Sequence, residues 1–161
     1  MPLDPLLRAR AAAERLLRFR PRSEQELRQR LRQKGVEAPV IETLVQELAR
    51  KDLLNDQKFA QYVATNRLVM RPTGVRALRD ELRRKGVAST VAEAALTKAT
   101  AGYDEAAAAR ELAQRRAGQM SGLPAATIQR RLFGLLQRRG FSSEVVYRVV
   151  REVTRPTGPV S

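Results

Sequence analysis

Leucines and basic residues follow a ten-residue pattern that occurs three times along this chain, at residues 27–36, 78–87 and 132–141. In each copy two leucines stand four positions apart, which places them on one face of an α-helix. A glycine follows at the ninth position, where it can end the helix in the left-handed conformation without steric cost. An apolar residue comes next, as the contact that closes such a cap requires. The copies lie 51 and 54 residues apart, and this spacing predicts an array of three repeats.

A stripe of apolar residues predicts the last helix of each repeat. Residues 40–48 place apolar side chains at i, i+1, i+4, i+5 and i+8, the spacing of a buried helical face. Five valines between Val145 and Val153 have the propensity of a β-strand, yet they occupy the same five positions. Because the period and the repeat outweigh the propensity, we predict a helix over residues 144–153. In the middle repeat the stripe from Val91 to Ala99 has smaller side chains, which predicts weaker packing.

Capping signals divide each repeat into three helices. Asp4 and Pro5 mark the start of the first helix, and Ser23 with Glu26 forms a capping box for the second. Later helices are preceded by Asn55 or Asp56, by Gly74, by Ser89 or Thr90, and by Asp104. We therefore predict an all-α fold, an elongated tandem array of three three-helix repeats. The repeats are expected at residues 1–55, 56–102 and 103–153, with a flexible tail at residues 154–161.

The composition excludes several classes of chemistry. Of the 161 residues 43% are apolar but only seven are aromatic, so an aliphatic core is expected. Cysteine and histidine are absent, which rules out disulfides, thiolate or imidazole metal sites and nucleophiles activated by histidine. Turn and cap roles explain Asp52 and Asp56 better than metal binding, since two carboxylates alone make no two-metal site. We expect no metal, no cofactor and no enzymatic activity.

Positive charge is the main chemical property of the chain. The net charge is +14, and residues 1–55, 56–102 and 103–161 contribute +4, +5 and +5. Since every repeat carries the excess, it favours a polyanionic partner rather than a charged tail. No apolar run approaches the length of about 18 residues that a membrane helix needs, and the N-terminus lacks a signal-peptide pattern. We expect a cytoplasmic protein without a membrane partner.

Three segments, set within this repeat pattern, together resemble the bacterial regulatory protein family RecX. They are Leu53 to Ala60, Glu81 to Val87 and Arg138 to Ser142, and the resemblance covers roughly residues 11–153. It implies a modulator of the RecA recombinase that lies in the groove of the RecA filament on single-stranded DNA. Such a protein depresses strand exchange, ATP hydrolysis and co-protease activity. We expect a monomer whose partner is the RecA nucleoprotein filament, with single- or double-stranded DNA as a further partner.

Arginines on the second helices are the candidate contact residues. In the middle repeat three of them stand at i, i+3 and i+7, on a stripe beside the leucine face. The first repeat has arginines at two equivalent positions, whereas the third has Phe133 and Gln137 there. With one neighbouring arginine, the candidate set is Arg28, Arg32, Arg76, Arg79, Arg83 and Arg84.

Two other interpretations of these charges stay open. The arginine stripe can be a solvated face, and the basic residues just before each glycine suit the negative end of the helix dipole without any ligand. The alternative function is a sequence-independent basic DNA-binding protein, held mainly by phosphate contacts. A helix-turn-helix transcription factor is disfavoured because the arginine helices repeat and none stands out as a reader.

Overall fold

Three helices follow one another in each repeat, as the capping signals predict. The computed structural model describes residues 4–156. Its helices are α1 (Pro5–Phe19), α2 (Glu24–Gln33), α3 (Ala38–Arg50), α4 (Asp56–Met70), α5 (Val75–Arg84), α6 (Ser89–Ala99), α7 (Glu105–Gly118), α8 (Ala125–Arg138) and α9 (Ser143–Val153). No strand occurs in this part of the chain, so the predicted all-α class with tandem three-helix repeats is confirmed. The predicted boundaries after residues 55 and 102 fall in the segments between α3 and α4 and between α6 and α7.

The five valines near the C-terminus are helical. Four of them are buried on one face of α9, and Val153 is partly buried. The prediction for α6 needs a correction, because Ala92, Ala95 and Leu96 form its buried face while Val91 is only half-buried. Ala95 and Leu96 are buried as predicted, and Ala92 takes the place of Val91, which gives the i, i+3, i+4 spacing of a narrow buried stripe. Of the predicted tail, residues 157–161 lie outside the described part of the chain.

The same cap ends α2, α5 and α8. The glycine after each helix has a φ of +82° (Gly35), +80° (Gly86) or +83° (Gly140). In each cap the apolar residue that follows the glycine donates its N–H to the second leucine of the pattern, at 3.0, 3.0 and 3.2 Å. This is the six-to-one bond of a Schellman motif, which satisfies a carbonyl that the helix end would leave without a partner. The three predicted glycine caps are therefore confirmed.

The described chain groups into two compact units, each with its own core. The first comprises residues up to Ala64 together with Glu81–Leu96, and the second comprises Thr65–Asp80 together with residues from Thr97 onward. In the first unit α1, α2 and α3 pack around a core of leucine, alanine, valine and isoleucine. In the second, α7, α8 and α9 surround a core that includes Phe141. The expected aliphatic core is found, with few aromatic side chains added to it.

Within the first unit, the N-terminus of α2 is joined to the following repeat. The buried Ser23 hydroxyl accepts the N–H of Glu26 at 3.0 Å, as predicted, and donates to the carbonyl of Lys85 at 2.6 Å. Asp56 accepts the N–H of Glu24 at 2.9 Å. The side chain of Asn55, not that of Asp56, caps α4. Asp56 thus satisfies a free donor at the start of a helix in another repeat.

Within the second unit, the N-terminus of α5 is joined in the same way. Gly74 donates its N–H to the carbonyl of Arg139 at 2.8 Å, and Glu105 accepts the N–H of Val75 at 3.2 Å. These four residues stand at positions equivalent to Ser23, Lys85, Asp56 and Glu24 of the first unit. In both units, therefore, the first turn of the second helix of one repeat contacts the glycine cap that ends the second helix of the following repeat. The first residue of the next repeat's first helix supplies the carboxylate.

Candidate polyanion-binding arginines

On α2, the two candidate arginines differ in what they contact. Arg28 donates to Glu42 at 2.9 Å and lies 3.3 Å from Glu24. The hydrogen bond to Glu42 raises the pKa of the Arg28 guanidinium. Arg32 is exposed, and within residues 4–156 it has no ion pair or side-chain hydrogen bond. Of the two side chains, only Arg32 therefore presents an uncompensated charge.

Four of the six candidates come from α5, and they fall in both compact units. Arg76 is exposed, but its guanidinium donates to the carbonyl of Gln137 at 2.7 Å, which stabilises the end of α8 in the second unit. Arg79 is half-buried and Arg83 is exposed, and each has an interaction partner within the chain. Arg84, in the first unit, is exposed and forms no ion pair or side-chain hydrogen bond with any described residue.

A carboxylate in the first unit neutralises the lysine at the end of α5. Glu26 accepts hydrogen bonds from Arg20 at 3.1 Å and from Lys85 at 3.0 Å. Burial acts to raise the pKa of Glu26, but the hydrogen bonds and charges of Arg20 and Lys85 outweigh it, and the pKa is lowered. The Glu26 carboxylate therefore belongs to an ion-pair network, and of the predicted capping box the structure shows the half in which Ser23 accepts the Glu26 N–H. Lys85 has a carboxylate partner in addition to the favourable helix dipole.

The third repeat contains a basic pocket of about 500 Å³ beside α7 and α8. Four exposed arginines line it, together with Met120, Gly134 and Leu135. The arginines are Arg116, Arg130, Arg131 and Arg138. No acidic residue lines the pocket. We define these four side chains as the third-repeat arginine cluster.

Positive charge is dense around this cluster. Arg139 donates to the carbonyl of Pro72 at 3.2 Å, within the second unit. Burial lowers the pKa of Arg139, and the neighbouring charges of Arg71, Arg116 and Arg115 lower it further. Like charges disfavour the charged form of an ionisable group, so the smaller part of this shift that comes from Arg71, Arg116 and Arg115 reflects the concentration of positive charge at the end of α8.

Sequence reasoning missed the third-repeat arginine cluster. Equivalence of the repeats predicts contact residues at the positions of Arg79 and Arg83, but the third repeat has Phe133 and Gln137 at those positions. A signal was nevertheless present in α8, because arginines at positions 131 and 138 lie seven residues apart with a glycine midway. Residues at that spacing share one helical face, and glycine in a helix interior is costly enough to require a reason.

Family models match the chain in three consecutive segments. They are described as the first, second and third three-helix domains of RecX, and they match residues 9–48, 55–96 and 103–150, respectively. The chain belongs to the RecX family. The resemblance of the sequence motifs to this family is thus confirmed.

Curated RecX proteins resemble the chain over most of its length. A regulatory protein RecX of Amycolatopsis mediterranei (strain U-32) is 38% identical over 91% of this chain and 83% of its own length. The regulatory protein RecX of Thermobifida fusca (strain YX) is 36% identical over 98% of this chain and 84% of its own length. The chain is therefore a regulator of the RecX type, and the family is one of regulatory proteins rather than known enzymes.

Solved RecX structures share the fold. The crystal structure of RecX from Lactobacillus salivarius has a TM-score of 0.77 and 21% sequence identity, and the match covers 94% of this chain and 98% of that one. A second RecX crystal structure has a TM-score of 0.83 at 21% identity, covering 92% of this chain and 74% of that one. Within residues 4–156, no helix is long and apolar enough to cross a membrane. The same residues contain no group of three or more potential metal ligands.

Proposed function

We propose that this RecX protein binds the RecA recombinase filament assembled on single-stranded DNA and inhibits strand exchange, ATP hydrolysis and co-protease activity. The observation that carries the proposal is the match of all three repeats to RecX domain models, with curated relatives named regulatory protein RecX. The net charge of +14, distributed over every repeat, supports a polyanionic partner such as a nucleoprotein filament. The protein acts as a monomer in this proposal, with the repeats at residues 1–55, 56–102 and 103–153.

Among the six candidate arginines, Arg32 and Arg84 are the best placed to contact the filament. Both are exposed side chains of the first unit, and neither has a carboxylate partner in the described chain. The other four, Arg28, Arg76, Arg79 and Arg83, already interact within the protein. Binding through those four would break existing interactions, so they would contribute less net affinity.

The decisive experiment measures ATP hydrolysis by the RecA of the same organism on single-stranded DNA. We expect hydrolysis to fall when the protein is added in stoichiometric amounts. Undiminished hydrolysis under conditions where the filament is saturated would rule out the proposal. Strand exchange and co-protease activity, measured with the same preparation, should fall over the same range of protein concentration.

A charge-reversal pair tests the contact residues. The double variant Arg32→Glu with Arg84→Glu should need at least about 10-fold more protein for half-maximal inhibition, a loss of about 1.4 kcal/mol. Its matched control, Arg15→Glu with Arg18→Glu, makes the same change in charge on the exposed side of α1 and should inhibit like the wild type. If the two variants lose inhibition equally, net charge rather than these two positions governs binding.

A further inference from the structure

We propose that the third repeat carries a phosphate-binding pocket for the backbone of single-stranded nucleic acid, formed by the third-repeat arginine cluster. This inference does not rest on the recombinase proposal, because the ligand is the strand itself. The pocket has a volume of about 500 Å³, within the range of about 300–1,000 Å³ that is usual for sites holding small ligands. A space of this size can admit part of a single strand, such as one or two phosphate groups with their sugars.

The four arginines, like Arg32 and Arg84, have no carboxylate partner in the described chain, in contrast to the paired arginines of this protein. Arg10 pairs with Glu47 at 2.8 Å, Arg20 with Glu26 at 3.1 Å and Arg110 with Glu152 at 2.9 Å. Within residues 4–156, no ion pair or side-chain hydrogen bond is formed by the cluster. Each guanidinium offers five N–H donors and stays charged at any relevant pH. Four such groups around one concavity repel each other, and a bound anion would offset this repulsion by attracting each guanidinium.

Gly134 adds a steric argument for a ligand in this pocket. It lies inside α8, where glycine is about 1 kcal/mol less favourable than alanine. A Cβ atom at this position would lie 3.0 Å from a terminal nitrogen of Arg138. The absence of a side chain therefore lets the Arg138 guanidinium lie against the helix, four residues before its own Cα. This costs helix stability and holds a cation at the pocket wall.

A phosphodiester strand fits the lining better than an acidic protein segment does. Arginine binds phosphate through two parallel hydrogen bonds, and a strand presents a phosphate at every residue, so several cations in one pocket can be satisfied together. Met120 and Leu135 add half-buried apolar surface between the cations. Sugar and base surfaces that can cover such a patch are accessible in a single strand but stacked and paired in a duplex.

The test measures binding of a fluorescein-labelled oligo(dT) by fluorescence anisotropy, with the full-length protein and no recombinase, between 50 and 200 mM NaCl. The variant Arg130→Gln with Arg131→Gln and Arg138→Gln removes three of the proposed contacts. Each phosphate contact with a single strand contributes about 0.7 to the slope of log affinity against log salt. Three lost contacts therefore reduce the slope by about 2. Over the fourfold rise in salt, the affinity of the wild type should fall by a factor about 20-fold larger than the factor by which the affinity of this variant falls.

A control variant separates the pocket from general charge. Arg148→Gln with Arg151→Gln and Arg155→Gln also removes three positive charges, but from exposed positions in α9 and just after it, beside Glu144 and Glu152. It should keep the salt dependence of the wild type. Equal losses in the two triple variants, or no loss in either, would overturn the proposal. Equally tight binding of a duplex of the same length, or displacement of the strand by an equal charge of polyglutamate, would overturn the assignment of the ligand.

Gly134→Ala tests the pocket with a substitution that does not weaken α8, so a loss of binding cannot be attributed to unfolding of the helix. Alanine is the better helix former, so the melting temperature should be unchanged or higher. The added methyl group would lie 3.0 Å from the Arg138 guanidinium, which must shift by a few tenths of an ångström, so affinity for oligo(dT) should fall, although by less than in the pocket triple variant. Unchanged affinity in Gly134→Ala, together with intact binding by the pocket triple variant, would place the contact elsewhere. Because RecA is absent from these assays, their failure would leave the ATPase test of the proposed function unaffected.

Discussion

Gly74 provides the sharpest test of how the repeats are joined in the second unit. The sequence marked it only as the opening of α5, but a Cβ atom at Gly74 would lie 2.0 Å from the carbonyl carbon of Gly140 and 2.2 Å from the amide nitrogen of Phe141. Both atoms belong to the backbone, so no flexible side chain can move aside. The φ of Gly74 is not in the left-handed region. Glycine is therefore required here by close approach and not by conformation.

The substitution Gly74→Ala should destabilise the protein by about 2–4 kcal/mol. Overpacking against a rigid neighbour costs about 1–3 kcal/mol. Loss of the 2.8 Å hydrogen bond from Gly74 to the Arg139 carbonyl adds about 0.5–1.5 kcal/mol. For a chain of this length each kcal/mol corresponds to about 2–4 °C, so the melting temperature should fall by about 5–15 °C. Urea unfolding followed by far-UV circular dichroism gives the free energy directly.

Gly118→Ala is the matched control, because the added methyl group meets no atom within 4 Å apart from the adjoining backbone of its own helix and the φ of Gly118 is not in the left-handed region. This control should be neutral or up to about 1 kcal/mol more stable. Native-state hydrogen exchange then locates the effect of Gly74→Ala, which should weaken protection in α8 while leaving α1 to α3 protected as in the wild type. If Gly74→Ala melts within about 2 °C of the wild type, the close approach at Gly140 does not exist in solution.

Two further predictions concern the first unit. Leu82 is fully buried, so Leu82→Ala should lower the free energy of unfolding in urea by about 2–5 kcal/mol. The same change at Leu123, which is 38% exposed, should lower it by less than about 1 kcal/mol. Equal effects would mean that the repeated leucine face is not part of the core. Because the pKa of Glu26 is lowered in the folded state, its charge stabilises the fold above the unfolded pKa, and this contribution is lost as pH falls through the folded value. Glu26→Gln should therefore be less stable than the wild type at pH 7 by about 1–3 kcal/mol, and this difference in stability should disappear below about pH 4. A difference in stability that does not depend on pH would contradict the ion-pair network with Arg20 and Lys85.

Pairing divides the arginines of this protein into two groups. Those that contact carboxylates, such as Arg28 with Glu42, contribute to the structure, although exposed pairs are worth only about 0–1 kcal/mol each. Those without a carboxylate partner, such as Arg32, Arg84 and the third-repeat arginine cluster, contribute little to the fold of the described chain. The excess charge that every repeat carries is thus available for binding mainly at the unpaired positions.

Local signals predicted the helices well because each depends on a few neighbouring residues. The glycine caps at Gly35, Gly86 and Gly140 follow from steric limits on φ, and the helix from Ser143 follows from the period of its valines. Small errors occurred where neighbouring positions compete, as in α6, where Ala92 rather than Val91 is buried beside Ala95 and Leu96. The identity of the family was also accessible, because two of its three motif segments lie in these caps and the third spans the start of α4.

The amino-acid sequence by itself determined the nine helices of the described chain, their caps and the repetition in threes, since spacing and backbone sterics act within a few residues. Only the tertiary structure decided that Asp56 and Glu105 cap the preceding repeats, that Gly74 lies against Gly140, and which arginines find a carboxylate. Those contacts join residues about 30 to 65 positions apart. Their distances depend on how the cores bring helices together, and no pattern along the chain encodes that directly.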